Sequence, residues 1–497
     1  MRHDRLWSMA GMSLVLAKLN EITLPKIIKD NGGTPLLASG GKLTARFPNR
    51  DKAVEARDKL WAGVAKRLPM LEFQVNREPI EAASLTEAKE KGLVEELSAA
   101  KRAFRGSALS FNPHLARCVE CGDYPAHTEL ADEGGHLCTF CQTAKDAAFS
   151  LNTHMIGRTP DSEATTIERV YQDYLSGFEN LSRKPRIPLN FDDLFAGRGK
   201  ERRQSERERM AVWFSDINGL GGKVGVWLQQ DEDDIPGFFS KVSKIFIATV
   251  VKALNATFPQ KELEDHTFLP FRIIVAGGDD LWLVMDEEYG LTFAQAYHKA
   301  IADKVRGQTA DSPLSVAWLE KNADPKQKKN FTEYSFGGAL VVTSSHTSFR
   351  AVHHLAENLV KETKEKSGRR ANALTWRFMG DDQSLTETKL AFDKPLFLSE
   401  SASGPDLESY LKAIKNEAAE KLSGSHRQQV ARLLFEHQAD PAAFEYALKR
   451  LAGTGLPKKD FDFLLLDPLF RKEGILALDR IATFLELKEL AAGGKRS

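Results

Sequence analysis

The sequence has no apolar run long enough to cross a bilayer. Its first residues, Met1-Arg2-His3-Asp4-Arg5-Leu6-Trp7, lack the apolar block and small-residue cleavage site of a secretory signal. A cytoplasmic chain without membrane contact is expected. Net charge is also missing: 69 Lys and Arg balance 69 Asp and Glu, so no global field drives non-specific nucleic-acid binding and any such contact must be local. Cysteine is scarce. The four present form two close pairs, which in a chain without an export signal points to metal ligation rather than disulfides. At 497 residues the chain exceeds what one hydrophobic core organises, so several domains are expected.

Apolar positions Met12, Leu16, Leu19, Ile22 and Ile27 recur at helical spacing, predicting a helix from Trp7 to Lys29 that stops at Asn31-Gly32-Gly33. A hairpin of Thr34 to Ser39 and Lys42 to Phe47 about Gly40-Gly41 follows. A helix from Asp51 to Arg67 and a strand near Leu71 to Val75 complete an α-β-β-α-β series, and a polar helix covers Ala82 to Phe104. A second series begins with the strand Met210 to Phe214 and the long helix carrying Phe238, Val242, Phe246 and Val250. Strands Phe271 to Ala276 and Leu281 to Met285 come next, then a helix Leu291 to Val305 and a strand Phe336 to Val342. The helix Phe349 to Lys366 and the strand Ala373 to Phe378 close a ferredoxin-like β-α-β-β-α-β core. The glycine turns Ser39-Gly40-Gly41-Lys42 and Ala276-Gly277-Gly278-Asp279 align, which suggests a duplication whose first copy lacks the carboxylates. After the Ser399 to Pro405 stretch the pattern becomes wholly helical.

The expected fold class is therefore α+β: two ferredoxin-like palm domains, the first degenerate, with a zinc ribbon and a helical bundle. Residues 1–112 form the degenerate palm-like domain and 113–150 the ribbon. Residues 151–207 make a helical and basic connector containing Arg183-Lys184-Pro185-Arg186 and Gly199 to Arg203. The palm proper occupies 208–395, and the C-terminal helical domain 400–497.

Phosphodiester synthesis needs relief of charge on a triphosphate and an activated hydroxyl, which two Mg2+ or Mn2+ ions on hard oxygen ligands supply. A strand ending in Asp216 beside a hairpin tipped by Gly277-Gly278-Asp279-Asp280 gathers three carboxylates at one sheet edge, while the glycines admit a nucleotide closely. Gly-Gly-Asp-Asp alone is equally a surface turn. The apolar strands on both sides and the upstream strand-Asp favour the metal site. The run Ser215-Asp216-Ile217-Asn218-Gly219-Leu220-Gly221-Gly222 adds backbone amides able to face phosphates.

Cys118-Val119-Glu120-Cys121 and Cys138-Thr139-Phe140-Cys141 are two Cys-x-x-Cys knuckles with sixteen residues between them, the spacing of a four-cysteine site for structural Zn2+. His114 and His136 are surplus to it. His353-His354, adjacent on a helix, point to different sides and make no metal pair. Trp213, Trp227 and Trp282 are expected as core and pocket-wall residues.

The order of these parts resembles the large polymerase-like subunit of type III CRISPR effector complexes. Trp7-Ser8, Cys118 to Cys121 followed by Gly122 and Pro125-Ala126, Ala276 to Leu281, and Phe336-Gly337-Gly338-Ala339 carry the resemblance. It implies an ATP-dependent nucleotidyltransferase that makes cyclic oligoadenylates when target RNA pairs with guide RNA. Asp216, Asp279 and Asp280 would hold magnesium, and Gly277, Gly278 and Gly219 would shape the nucleotide pocket. Lys361 and Lys364 would lie near the triphosphate, although lysines on an amphipathic helix are more usually a solvated face. The implied partners are guide and target RNA, a subunit binding the repeat-derived RNA end, and a small helical subunit docking on the tail.

Three departures stand out. His3-Asp4 has no partners for an HD nuclease, so none is expected. The first palm series begins directly at its helix, so its opening strand is missing, replaced by another segment, or lost through the choice of start. Asn218 stands where many relatives have a second aspartate. The competing reading is a non-catalytic scaffold of a guide-RNA complex. A Gly-Gly-Asp/Glu-Glu-Phe cyclic-dinucleotide synthase ranks behind it, because Leu281 stands in place of the phenylalanine.

Overall fold

The computed structural model describes residues 5–39, 41–68, 71, 73–76, 78–103, 116–122, 124–130, 135–155, 164–178, 184–196, 209–230, 234–264, 266–306, 308, 312, 315–323, 334–369, 371–379, 396–398, 406–415, 424–437, 440–453, 463–472 and 475–491. The Gly199 to Arg203 basic run, Gly40, His114, the His3-Asp4 pair and the Ser399 to Pro405 boundary fall outside these residues.

The chain opens with helix α1 (Leu6–Lys18), a π-helical turn (Leu19–Thr23) and α2 (Leu24–Asp30). One uninterrupted helix was expected. Pro25 has no N–H to return to the carbonyl of Glu21, so the regular ladder fails there and a wider turn takes its place. Gly32, in the left-handed region at φ 78°, ends α2. Strands β1 (Thr34–Ser39) and β2 (Lys42–Arg46) pair antiparallel, and α3 (Arg50–Arg67) starts where the Asn49 side chain accepts from Lys52 N–H at 2.9 Å.

The strand expected at Leu71 to Val75 is absent among the described residues. Leu71 and Phe73 pack instead on the cluster containing Leu60 and Val64, with Phe73 beside Trp61. Their alternation is spent on a helix face rather than a ladder. The helix expected over Ala82 to Phe104 is two, α4 (Leu85–Glu90) and α5 (Leu93–Ala103), broken at Gly92 with φ 95°.

A small ribbon, β3 (Thr128–Leu130) and β4 (Gly135–Leu137), leads into α6 (Thr139–Met155), which packs along α1; α7 (Thr166–Ser176) follows. The core then forms from β5 (Arg209–Ile217), α8 (Leu220–Gln230), α9 (Ile235–Thr257), β6 (Phe271–Gly277), β7 (Asp280–Asp286), α10 (Gly290–Arg306), α11 (Val316–Asn322), β8 (Phe336–Ser344), α12 (Phe349–Lys366), β9 (Ala373–Met379) and β10 (Leu396–Phe397). The sheet order is β10-β9-β8-β5-β7-β6, antiparallel except for the β8–β9 pair joined through α12. This matches the expected β-α-β-β-α-β succession, widened at the β8 edge.

Alternation along the strands separates two cores. Ala211, Trp213, Ile217, Leu281, Leu283 and Met285 face α7, α9 and α10. Met210, Val212, Trp282 and Val284 face α1 and α12, where Leu6, Ala10, Phe349, Val352, Ala356 and Val360 close over them. The tail carries α13 (Leu407–Ile414), α14 (Gly424–Glu436), α15 (Pro441–Gly453) and α16 (Leu478–Ala491). Its Tyr410, Leu434, Phe444 and Phe484 join the α10 side of the core. The tail is not wholly helical: Arg471–Lys472 and Ile475–Leu476 form a short hairpin.

Candidate active site

Ladder register assembles the site. Asp216 pairs with Asp280 on β7 and with Gly337 on β8, while Asp280 also pairs with Gly277 on β6. Asp216 follows Val212 and Phe214 by steps of two, and Asp280 precedes Trp282 by two, so both project toward the α12 face. Directly opposed strand residues on one face bring their side chains together. Asp216, Asp279 and Asp280 each place a carboxylate oxygen within 4.8 Å of the others'. The turn is closed by Gly278 at φ 65°, and Ile217 N–H donates to the Asp279 carbonyl at 3.2 Å.

The electrostatics are those of a cluster lacking enough positive charge. Burial first, and then the charges of Asp279 and Asp216, push the Asp280 carboxyl up to about 7. Asp279 is raised for the same reasons, burial leading and Asp216 second, against the pull of Lys364 and Lys42. Lys42 opens β2, so the degenerate hairpin brings a cation to the carboxylates that its own turn lacks.

Lys364 is buried, and its ammonium contacts Asp216 Oδ2 and donates to the Ile217 carbonyl at 3.2 Å. Its stem crosses above Gly337, where a Cβ would stand 2.6 Å from Lys364 Cγ; only glycine leaves that path open. Lys361 is exposed, as the solvated-face reading has it.

Gly219, at φ 67°, turns the chain from β5 into α8, and Gly221 is exposed at the helix start with open space beside it. Helix N-termini of this kind suit anions, because their first amides have no intrahelical partner. Asn218 is turned inward: its Nδ2 donates to Ser335 Oγ at 3.0 Å, and its backbone N–H donates to the Ser335 carbonyl at 2.7 Å. The amide thus anchors the loop to the entry of β8. Gly277 leaves its Cβ position 3.6 Å from Glu21 Oε1 of the π-helical turn, a carboxylate whose other oxygen accepts from Thr166 N–H at 2.8 Å.

Glu21, Lys42 and Lys223 escaped the sequence reading. Lys223 is buried, with no hydrogen-bond partner for Nζ among the described residues, and Nζ lies 4.9 Å from the Tyr334 ring centroid; burial lowers its ammonium to about 8. Trp213 and Trp282 are core residues, Trp282 lying between Phe214 and Phe349. Trp227 packs on Trp318. His353 packs tilted against Trp282, ring centroids 4.3 Å apart, and belongs to no metal-ligating group among the described residues.

Cys118, Cys121, Cys138 and Cys141 are all buried, with their sulfurs within 4.8 Å of one another. Cys121 and Cys138 Sγ stand 3.8 Å apart, matching the edge of about 3.8 Å of a tetrahedron with sulfurs roughly 2.3 Å from zinc. Cys141 N–H points at Cys138 Sγ at 3.4 Å. The hydrogen bond to the Cys121 thiol, more than burial, pushes Cys138 up to about 12, and Cys141 rises for the same leading reason. Packed thiols resist ionising together unless a cation joins them. The four sulfurs fit zinc.

No protein-family model matches the chain, and no curated protein does. Solved structures similar to it include Csm1 chains. Csm1 from T. onnurineus gives a TM-score of 0.49 at 13% identity, over 98% of this chain and 66% of that one. The apo Csm1–Csm4 cassette gives 0.48 at 11% identity, over 98% and 69%, and the cassette in complex with cA4 gives 0.40 at 12%, over 98% and 65%. The chain spans about two thirds of the length of these structures. Among the described residues, no helix is long and apolar enough to cross a membrane.

Proposed function

We propose that this chain is the polymerase-like large subunit of a type III CRISPR antiviral effector, and that its sheet-end site is a palm joining ATP into cyclic oligoadenylates. The observation carrying the reading is the meeting of Asp216, Asp279 and Asp280 within 4.8 Å, two of them held above the ordinary carboxylate range. Three carboxylates placed together in a half-buried site destabilise the fold unless a cation compensates. Hard oxygen ligands suit Mg2+ or Mn2+.

Asp216, Asp279 and Asp280 would hold the metal. Bound there, magnesium would neutralise triphosphate charge and lower the pKa of the attacking hydroxyl. The rest belongs to the chain. The amides after Gly219 receive phosphate oxygens, Gly277 and Gly278 let the nucleotide lie against the turn, and Lys364 stands ready for the triphosphate. Lys361, on the exposed face, makes a peripheral contact. The 3′-hydroxyl of one ATP gives up its proton to solvent and attacks the α-phosphorus of another in line, the new P–O bond forms as the bond from the α-phosphorus to the bridging oxygen breaks, and pyrophosphate leaves with those electrons; positioning and charge neutralisation supply the catalysis.

The five-unit division, the zinc ribbon as a structural element, and the partners belong to the same proposal: guide RNA, target RNA, a subunit on the repeat-derived RNA end and a small helical subunit. No HD nuclease is proposed. The test is to incubate the reconstituted complex with labelled ATP, magnesium and target RNA, comparing the wild type with Asp279→Ala/Asp280→Ala. Oligoadenylate from the wild type alone supports the reading; none from either, with nucleotide and magnesium also failing to bind, leaves the scaffold reading.

A further inference from the structure

Lys364 carries an inference that rests on the metal-site reading and goes beyond it. Ala356, Val360 and Lys364 lie on one stripe of α12 by steps of four, and Ala356 and Val360 fill the core under that helix. Lys364 should be apolar by that pattern. Instead its side chain, 8% exposed, runs over Gly337 and ends between Asp216 Oδ2 and the Ile217 carbonyl. A carboxylate oxygen and a neighbouring main-chain carbonyl at a strand end are hard ligands of the kind a divalent cation takes. The ammonium binds the same pair of oxygens.

We propose that Lys364 is a resident cation which the metal must displace from Asp216 and Ile217, and which then transfers to the triphosphate arriving with the metal. Lys364 acts as a positioning residue. It holds Asp216 neutralised while the site waits, so metal alone binds weakly. Metal with triphosphate binds well, because the displaced ammonium gains an anionic partner. The exchange breaks no covalent bond and moves no proton. It makes metal and nucleotide binding mutually dependent, and the dependence is reciprocal. A simple phosphate-binding lysine predicts that its loss leaves metal affinity without nucleotide unchanged; an exchanging lysine predicts that its loss raises it.

The test is Mn2+ binding to the full-length, zinc-loaded chain without nucleotide, followed by the electron paramagnetic resonance signal of free Mn2+. Wild type, Lys364→Met, Lys364→Gln and Asp279→Ala/Asp280→Ala are compared, with circular dichroism confirming that each is folded. Removing one positive charge in contact with the ligands should tighten Mn2+ about tenfold in both Lys364 variants. The double alanine variant should lose the site. Equal affinity in wild type and Lys364 variants, all above the double alanine variant, overturns the exchange and leaves the metal site standing. Mn2+ binding that ignores Asp279 and Asp280 overturns both.

Discussion

Asp280→Asn is expected to stabilise the metal-free protein at high pH and leave it unchanged at low pH. Burial, Asp279 and Asp216 raise this carboxyl to about 7 in the fold. Unfolded, it returns to the usual value near 4. A group raised on folding contributes stability that is fully present below its unfolded value and is lost as pH climbs through its folded value. Ionising it in the folded site costs on the order of 4 kcal/mol from the shift alone. Solvent reaching this partly exposed cluster screens that figure to about 2 kcal/mol. Asparagine keeps the shape without the charge. Relative to wild type it should gain about 2 kcal/mol between about pH 4 and pH 7, seen as a Tm higher by about 5 °C at the upper end in magnesium-free buffer. Magnesium should narrow or reverse the gap, since it stabilises only a site with all three carboxylates. An offset identical at both pH values, or an asparagine variant less stable at high pH, would refute the argument that these carboxylates are held against their own charge.

Gly337→Ala sets a Cβ 2.6 Å from Lys364 Cγ between strand and helix, so Lys364 must leave Asp216. Thermal melts should show a loss of about 1–3 kcal/mol, and nucleotide turnover should fall with it. Lys364→Ala should reduce turnover at least about tenfold more than Lys361→Ala, because a buried charge-assisted contact outweighs an exposed one; steady-state kinetics in the reconstituted complex decide. Metal analysis should find one zinc per chain, and Cys138→Ser should release it and lower the Tm, since Trp7 of α1 packs on the cysteine cluster. Retained zinc in that variant would contradict four-sulfur ligation.

The strands that carry the candidate carboxylates were legible because strand period is a local property. Asp216 two steps beyond Phe214, and Asp280 two steps before Trp282, share a face by counting alone. The burial of Lys364 is written in its spacing, since it follows Ala356 and Val360 by steps of four on the inward stripe of α12. Glu21 and Lys42 were not. They reach the turn only because α1 packs on β6 and the first hairpin folds near Asp279, contacts that no local pattern encodes. The missing strand at Leu71 to Val75 failed for a related reason: alternating apolar residues suit a ladder, but Phe73 found a helix face first. Asn218, one of the three departures in the sequence, is a loop anchor bonded to Ser335.

The most direct measurement is anomalous diffraction from crystals grown with Mn2+ and a non-hydrolysable ATP analogue. Two manganese peaks about 4 Å apart are expected, ligated by Asp216, Asp279 and Asp280, with Lys364 moved from Asp216 to the triphosphate. Saturating Mn2+ with no peak at these carboxylates would contradict it.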